Sequence, residues 1–113
     1  MKRQAIAAFA IASLICSTAH ASEAGPGQIS NLIVVENGTV LFNQSGSRTT
    51  PPGCQASTTP KRWAFNGTTP AGQAMLSLLL RAYATSKTVL IFGTGTCTAW
   101  SDTENVYRID THE

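Results

Sequence analysis

The sequence predicts a mainly β fold with a single helix, three strands before it and two after. Three observations predict it. Short runs of alternating or branched apolar residues recur at 29–35, 39–44, 61–66, 87–92 and 104–110; only 70–85 changes to a helical period; and Gly, Pro, Asn and Ser clusters punctuate the chain between them.

What precedes the first strand is expected to leave the protein. Lys2 and Arg3 lead into "AIAAFAIASLI", and Ala19 and Ala21 occupy the small-residue positions that a signal peptidase reads, so residues 1–21 are read as a secretory signal and 22–113 as one small domain. The apolar run is far short of the roughly 20 residues that cross a bilayer, so no membrane span is expected. Acylation at Cys16 would need a small residue before it, and Ile15 is not small.

Removing the leader changes the charge balance. Lys2 and Arg3 account for the formal net charge of +2, so the remainder is neutral. A nucleic-acid partner is not expected, because binding one needs a surplus of Lys and Arg, and the largest cluster is the pair Lys61 and Arg62. Two cysteines remain, Cys54 and Cys97, in a compartment where thiols oxidise; they are predicted to form a disulfide. No metal or other cofactor is expected, since the one histidine beyond the leader, His112, falls in what reads as a frayed tail.

The elements follow in order. "GPG" at 25–27 reads as a flexible lead-in. The branched run at 29–35 is a strand expected to be covered on both sides, with Ser30 and Asn31 at its wetter start. Asn37 and Gly38 signal a two-residue hairpin turn into the strand at 39–44. Asn37, Asn43 and Asn66 stand in N-x-S/T sequons and are read as turn and strand residues. The polar loop 45–60, with its paired prolines, is expected to be tied down by Cys54. In "KRWAFN", Trp63 and Phe65 share one face, and Arg62, Ala64 and Asn66 the wet one.

The helix opens with Thr69 as N-cap and Pro70 in the first turn, where a missing N–H is harmless. Gln73, Ser77, Arg81 and Thr85 recur every four residues as one narrow polar stripe. Nearly everything else is apolar, more surface than the sheet of a small domain is expected to cover, so either long loops such as "GSRTTPPG" fold back over it or Met75, Leu76, Leu79, Leu80 and Tyr83 belong to an interface between copies.

After the fourth strand comes "FGTGTCTAW", residues 92–100. A phosphate loop needs its glycines to lead into a helix, and a P-loop adds a lysine; neither follows Gly95. Cys97 lacks a CxxC partner, so a redox-active thiol is not expected. Gly93 and Gly95 are read as a kink or bulge. In the last strand Val106 and Arg108 are expected to oppose Tyr107 and Ile109.

Three strands, one helix and two strands (β-β-β-α-β-β) is the element order of the OB-fold, a small five-stranded barrel. A four- to five-stranded antiparallel sheet with the helix on one face is the alternative. With this order, "GQISNLIVV" and "LLLRAYATSKTVLIF" resemble the first strand and the helix-to-fourth-strand passage of the binding subunits of AB5 toxins of the subtilase cytotoxin and typhoid toxin kind. "RWAF", "TPAG" and "GTGTC" are also similar to stretches of small exported bacterial proteins. The toxin resemblance implies an exported OB-fold subunit that assembles as a pentamer, its helices lining the channel, and binds sialylated glycans; Ser30 matches the serine that contacts the sugar carboxylate.

Enzyme chemistry is not expected. No histidine pairs with a nucleophile, and Asp102 and Glu104 are read as solvated turn residues. Trp63, Trp100 and Tyr107 either supply a stacking face for a sugar or, as is commoner in a small core, are buried or half-buried aromatics; on the first reading Trp63 and Trp100 join Ser30 and Asn31 as candidate ligand residues. The leading expectation is therefore an exported, non-enzymatic, oligomeric binding subunit for a glycan or an exported protein. A monomeric periplasmic protein that inhibits or stabilises another exported protein is the alternative, and a hydrolase using Asp102 or Glu104 is a third reading.

Overall fold

The structure, a computed structural model, describes residues 21–112. The expected leader, Cys16 included, lies outside the described residues except for Ala21. Six strands and one helix are formed: β1 (Glu23–Gly27), β2 (Ile29–Val34), β3 (Thr39–Gln44), β4 (Arg62–Asn66), α1 (Pro70–Ala84), β5 (Thr88–Gly93) and β6 (Val106–His112). They build two three-stranded antiparallel sheets, ordered β1-β5-β6 and β2-β3-β4. The predicted order holds, with one strand added in front.

The added strand is the stretch read as a flexible lead-in. Gly25–Gly27 belong to β1, which pairs with β5 at a sheet edge, where the N–H that Pro26 lacks is not needed for a central ladder. Glycine is required there by close approach: a Cβ on Gly27 would lie 2.2 Å from the Gly46 nitrogen, and one on Gly46 would lie 2.1 Å from the Gly25 oxygen.

Gln28 alone separates β1 from β2, so one length of chain turns a corner and serves both sheets. A second seam is the buried amide of Gln44, which donates to the Gly25 and Val89 carbonyls at 2.7 Å each and accepts from the Gly46 N–H at 2.8 Å. The third is a single parallel bridge between Ala64 and Asn105, with the Ala64 N–H donating to the Glu104 carbonyl at 3.1 Å. The strands thus follow the circuit of an OB-like barrel, but the β4-to-β6 junction is one bridge and not a ladder. The result is two joined sheets without full closure.

Between the sheets and α1 lie Val40, Phe42, Trp63, Phe65, Leu79, Val89 and Ile91, all at most 2% exposed. Phe42 and Phe65 meet edge to face, with centroids 6.1 Å apart. Burial of each such large side chain contributes about 1.5–3 kcal/mol. Ala64 is also fully buried, against the expectation of a wet face, because the chain at Glu104–Asn105 runs alongside it.

The helix follows its sequence closely. Thr69 Oγ1 accepts the Gly72 N–H at 2.9 Å, and Gly72 must be glycine because a Cβ would stand 1.8 Å from the Asn66 carbonyl. At the other end Ser86 takes φ 55°, the Ser86 N–H reaches the Tyr83 carbonyl and the Lys87 N–H the Ala82 carbonyl at 2.9 Å, a left-handed cap that satisfies the last turn. The four residues of the polar stripe are all exposed.

Other expectations are corrected. The hairpin loop has three residues, Glu36 to Gly38: the Val35 N–H donates to Thr39, the Gly38 N–H to Val35, and Gly38 has φ 89°, a type I turn followed by a left-handed residue. β2 is not covered on both sides. It is a sheet edge, with Ile33 48% and Val34 59% exposed, and its register slips between Ser30 and Ile33, where Asn31 adopts φ 47°. In β6 the pairing jumps from Phe92–Arg108 to Gly93–Val106, so Tyr107 is an extra residue. That bulge breaks simple alternation and leaves Val106 and Ile109 buried while Tyr107 and Arg108 are exposed. His112 is not frayed but paired with Thr88 at the end of β6.

The Cys54–Cys97 disulfide forms as expected, with Cα atoms 6.1 Å apart and a sequence separation of 43. A loop of that length corresponds to about 4 kcal/mol on the chain-entropy model. No helix of the described residues is long and apolar enough to cross a membrane.

Candidate functional site

The glycines of "FGTGTC" do cradle an anion, and it is the chain's own. The Glu104 carboxylate, fully buried, receives donors on both oxygens. Oε1 accepts from Arg48 Nη2 at 2.8 Å and from Ser22 Oγ; Oε2 accepts from the Ser22 backbone N–H at 3.0 Å and the Gly95 N–H at 2.9 Å. Gly95 aims its N–H through a φ of 81°, and a Cβ on Gly93 would lie 2.1 Å from Oε2 and 2.7 Å from the Trp63 ring. Both glycines are there because a side chain would displace the carboxylate or turn the donor away.

Arg48 completes the arrangement. Its guanidinium lies 3.7 Å from the Trp63 ring centroid and also donates to the Pro60 and Arg62 carbonyls, to Gln55 Oε1 and to Ser22 Oγ. Burial pushes the guanidinium below its ordinary pKa, while the hydrogen bond and charge of Glu104 pull it back up. This corrects the reading of Glu104 as solvated. A carboxylate sealed beneath four donors cannot reach a substrate proton, so its role is to clasp the segment just before β1, the loop after β3 and the approach to β6. Asp102 is the solvated one, half-exposed and held by Arg62 at 2.7 Å.

The candidate ligand residues are not brought together. Trp63 is fully buried beneath Arg48, so it offers no ring to a sugar; the sequence showed its strand face but not the cation that covers it. Trp100 is half-buried in the stapled loop, bridged to Thr103. Ser30 and Asn31 are exposed on β2, and Asn31, at the bulge, opens into a depression of ≈ 430 Å³ that Leu32, Ile33, Asn43, Thr59 and Arg62 complete. Sequence reasoning did not single out Asn43, Thr59 or Arg62 for this surface. The pairing of Ser30 with Asn43 across the hairpin was the available signal for the first.

The helix surface divides sharply. Leu79 is fully buried in the protein's own core and cannot also contact another copy; Met75 and Leu76 are half-buried against that core. Leu80 and Tyr83 remain 48% and 51% exposed. On the other flank of the helix, where the end of α1 meets β6, lies a depression of ≈ 270 Å³ with Leu78 and Ala82 in its lining and Arg81, Lys87 and His112 among its polar groups. No cluster of potential metal ligands occurs among the described residues. Set against protein-family models, curated proteins and solved structures, the chain matches none of them.

Proposed function

We propose that the protein is an exported, non-catalytic binding subunit, similar in kind to the B subunits of AB5 toxins, that self-associates through α1. It binds a glycan or another exported protein through shallow polar contacts around Ser30 and Asn31. The observation that supports this is the outer ridge of α1: with Leu79 and Ala82 already committed to the core, Leu80 and Tyr83 still face water. An amphipathic helix on a small domain normally hides its apolar residues, so an unspent ridge points to a covered surface. α1 packs against β2, which carries two further exposed apolar residues, Ile33 and Val34.

Light scattering on the purified mature protein tests the reading. Assembly is expected at micromolar concentration, and Leu80→Asp with Tyr83→Asp should yield a monomer that keeps the wild-type circular dichroism, because neither side chain is core, while its melting temperature falls to that of the dissociated wild type. A wild-type protein that stays monomeric at high concentration overturns self-association.

One observation favours the alternative, a monomeric protein that inhibits or stabilises another exported protein. β2 is an edge strand with free backbone groups, onto which a partner's strand could add. That reading expects a monomer, no signal on a glycan array, and a partner captured through β2 that Val34→Pro abolishes.

A further inference from the structure

The first residue after the predicted cleavage point is held more tightly than a chain terminus should be. Termini are ordinarily exposed and loosely bound. Ser22 is 2% exposed, while Ala21 just before it is exposed, so burial begins abruptly at the bond that the signal peptidase is expected to cut. Every polar group of Ser22 is engaged. Its carbonyl accepts the Gly93 N–H at 2.8 Å, its hydroxyl donates to Glu104 Oε1 and accepts from Arg48 Nε at 3.1 Å, and its nitrogen donates to Glu104 Oε2 at 3.0 Å.

We propose that cleavage of the Ala21–Ser22 bond creates a structural ion pair: the new α-ammonium of Ser22 docks on Oε2 of Glu104, and the chain reaches full stability only once its leader is gone. Hydrolysis consumes one water, leaves a carboxylate on Ala21 and an amine on Ser22, and the amine takes up a proton at neutral pH. The nitrogen already stands at hydrogen-bond distance, so processing turns a neutral amide donor into a charged one without moving the chain.

The surroundings accommodate the second cation. Arg48 binds Oε1, which leaves Oε2 to Ser22 and the Gly95 N–H. The charged groups around the nitrogen are Glu104, from the approach to β6, and Arg48, from the loop after β3; Glu23, next along, is exposed, and β5 contributes only Phe92 and Gly93 there. Loss of Ala21 opens the nitrogen to solvent on the side from which the chain arrives, so the ammonium keeps part of its hydration.

The sign of the pH dependence follows. Glu104 Oε2, at hydrogen-bond distance from the nitrogen, pulls the amine's pKa up from its unfolded value of about 7.7–8.0, while burial and the Arg48 charge pull it down; the proposed ion pair is the case in which the carboxylate prevails. The added stability is fully present below the unfolded value and is lost as pH rises through the folded one. Each unit of elevation changes the folding equilibrium about tenfold.

The inference shares with the proposed function only the removal of the leader, and its test is separate. Intact mass of the exported protein should begin at Ser22. Protein beginning at Ser22 is then compared in urea with the same chain acetylated at Ser22 and with a chain that retains Ala21. The free-amine form should be the most stable at pH 7, by about tenfold or more in the folding equilibrium, with the gap closing toward pH 10. In Glu104→Gln the effect of acetylation should vanish; should that variant fail to fold, the comparison on the natural chain still decides. A different N-terminus, or an acetylated chain as stable as the free one with the amine titrating at its ordinary value, overturns the inference. A monomer with the ion pair would defeat self-association and leave this standing; an assembly without it would do the reverse.

Discussion

Two ion pairs of the same length lie in opposite surroundings. Arg48–Glu104 and Arg108–Asp110 each close at 2.8 Å, yet the side chains are 4% and 0% exposed in the first and 57% and 31% in the second. The outer pair joins residues two apart on β6. Asp110 raises the Arg108 pKa through a two-pronged hydrogen bond and its charge, but water and salt compete for both groups. The inner pair joins the segment just before β1, the loop after β3 and the approach to β6, and has no competing solvent. Distance alone says nothing of what an ion pair is worth; the desolvation that its removal leaves uncompensated does.

Substitutions can break this contrast. Glu104→Ala is expected to do most, because it strands the Arg48 guanidinium among buried groups: a loss of about 3–5 kcal/mol, read from the urea midpoint with the disulfide intact. A loss no larger than that caused by Asp110→Ala would make the two pairs equivalent and remove the distinction. Gly93→Ala comes next, since its methyl would stand 2.1 Å from Glu104 Oε2. A cost of about 1–3 kcal/mol is expected for that overpacking, and an unchanged thermal melt would place the carboxylate elsewhere. The smallest effect belongs to Arg108→Ala, which should leave the urea midpoint where it was. A clear drop would mean that the outer face of β6 is covered in solution, and would sharpen the case for assembly.

The same divide runs through what could be read from the chain. The N-cap at Thr69, the polar stripe of α1, the strands at 39–44 and 62–66 and the Cys54–Cys97 bond were all legible, because each rests on a local pattern or on pairing the last two cysteines. β1 was not: Gly25, Pro26 and Gly27 carry turn chemistry, and only the close approach of Gly46 and the edge position explain why they form a strand. The β6 bulge was hidden too, since no local signal marks Tyr107 as the extra residue. At the candidate surface, Ser30 was found through a resemblance and Asn31 from its place at the wetter start of the strand, and both lie exposed, whereas Trp63 was lost to the core because a cation from a distant loop covers it.

By itself the sequence determined a mainly β chain with one helix and where that helix starts, because those choices depend on neighbours within a turn or two, and which two sulfurs join, because two cysteines are left to pair beyond the expected leader. Only the tertiary structure decided that Glu104 is an interior anion, that two glycines exist to make room for it, and that Ser22 belongs in its shell. The physical reason is separation: Ser22 and Glu104 are 82 residues apart, and Arg48 and Glu104 56. A charge can be buried only where distant segments bring its donors together, and the periodicity of any single segment holds no trace of that meeting.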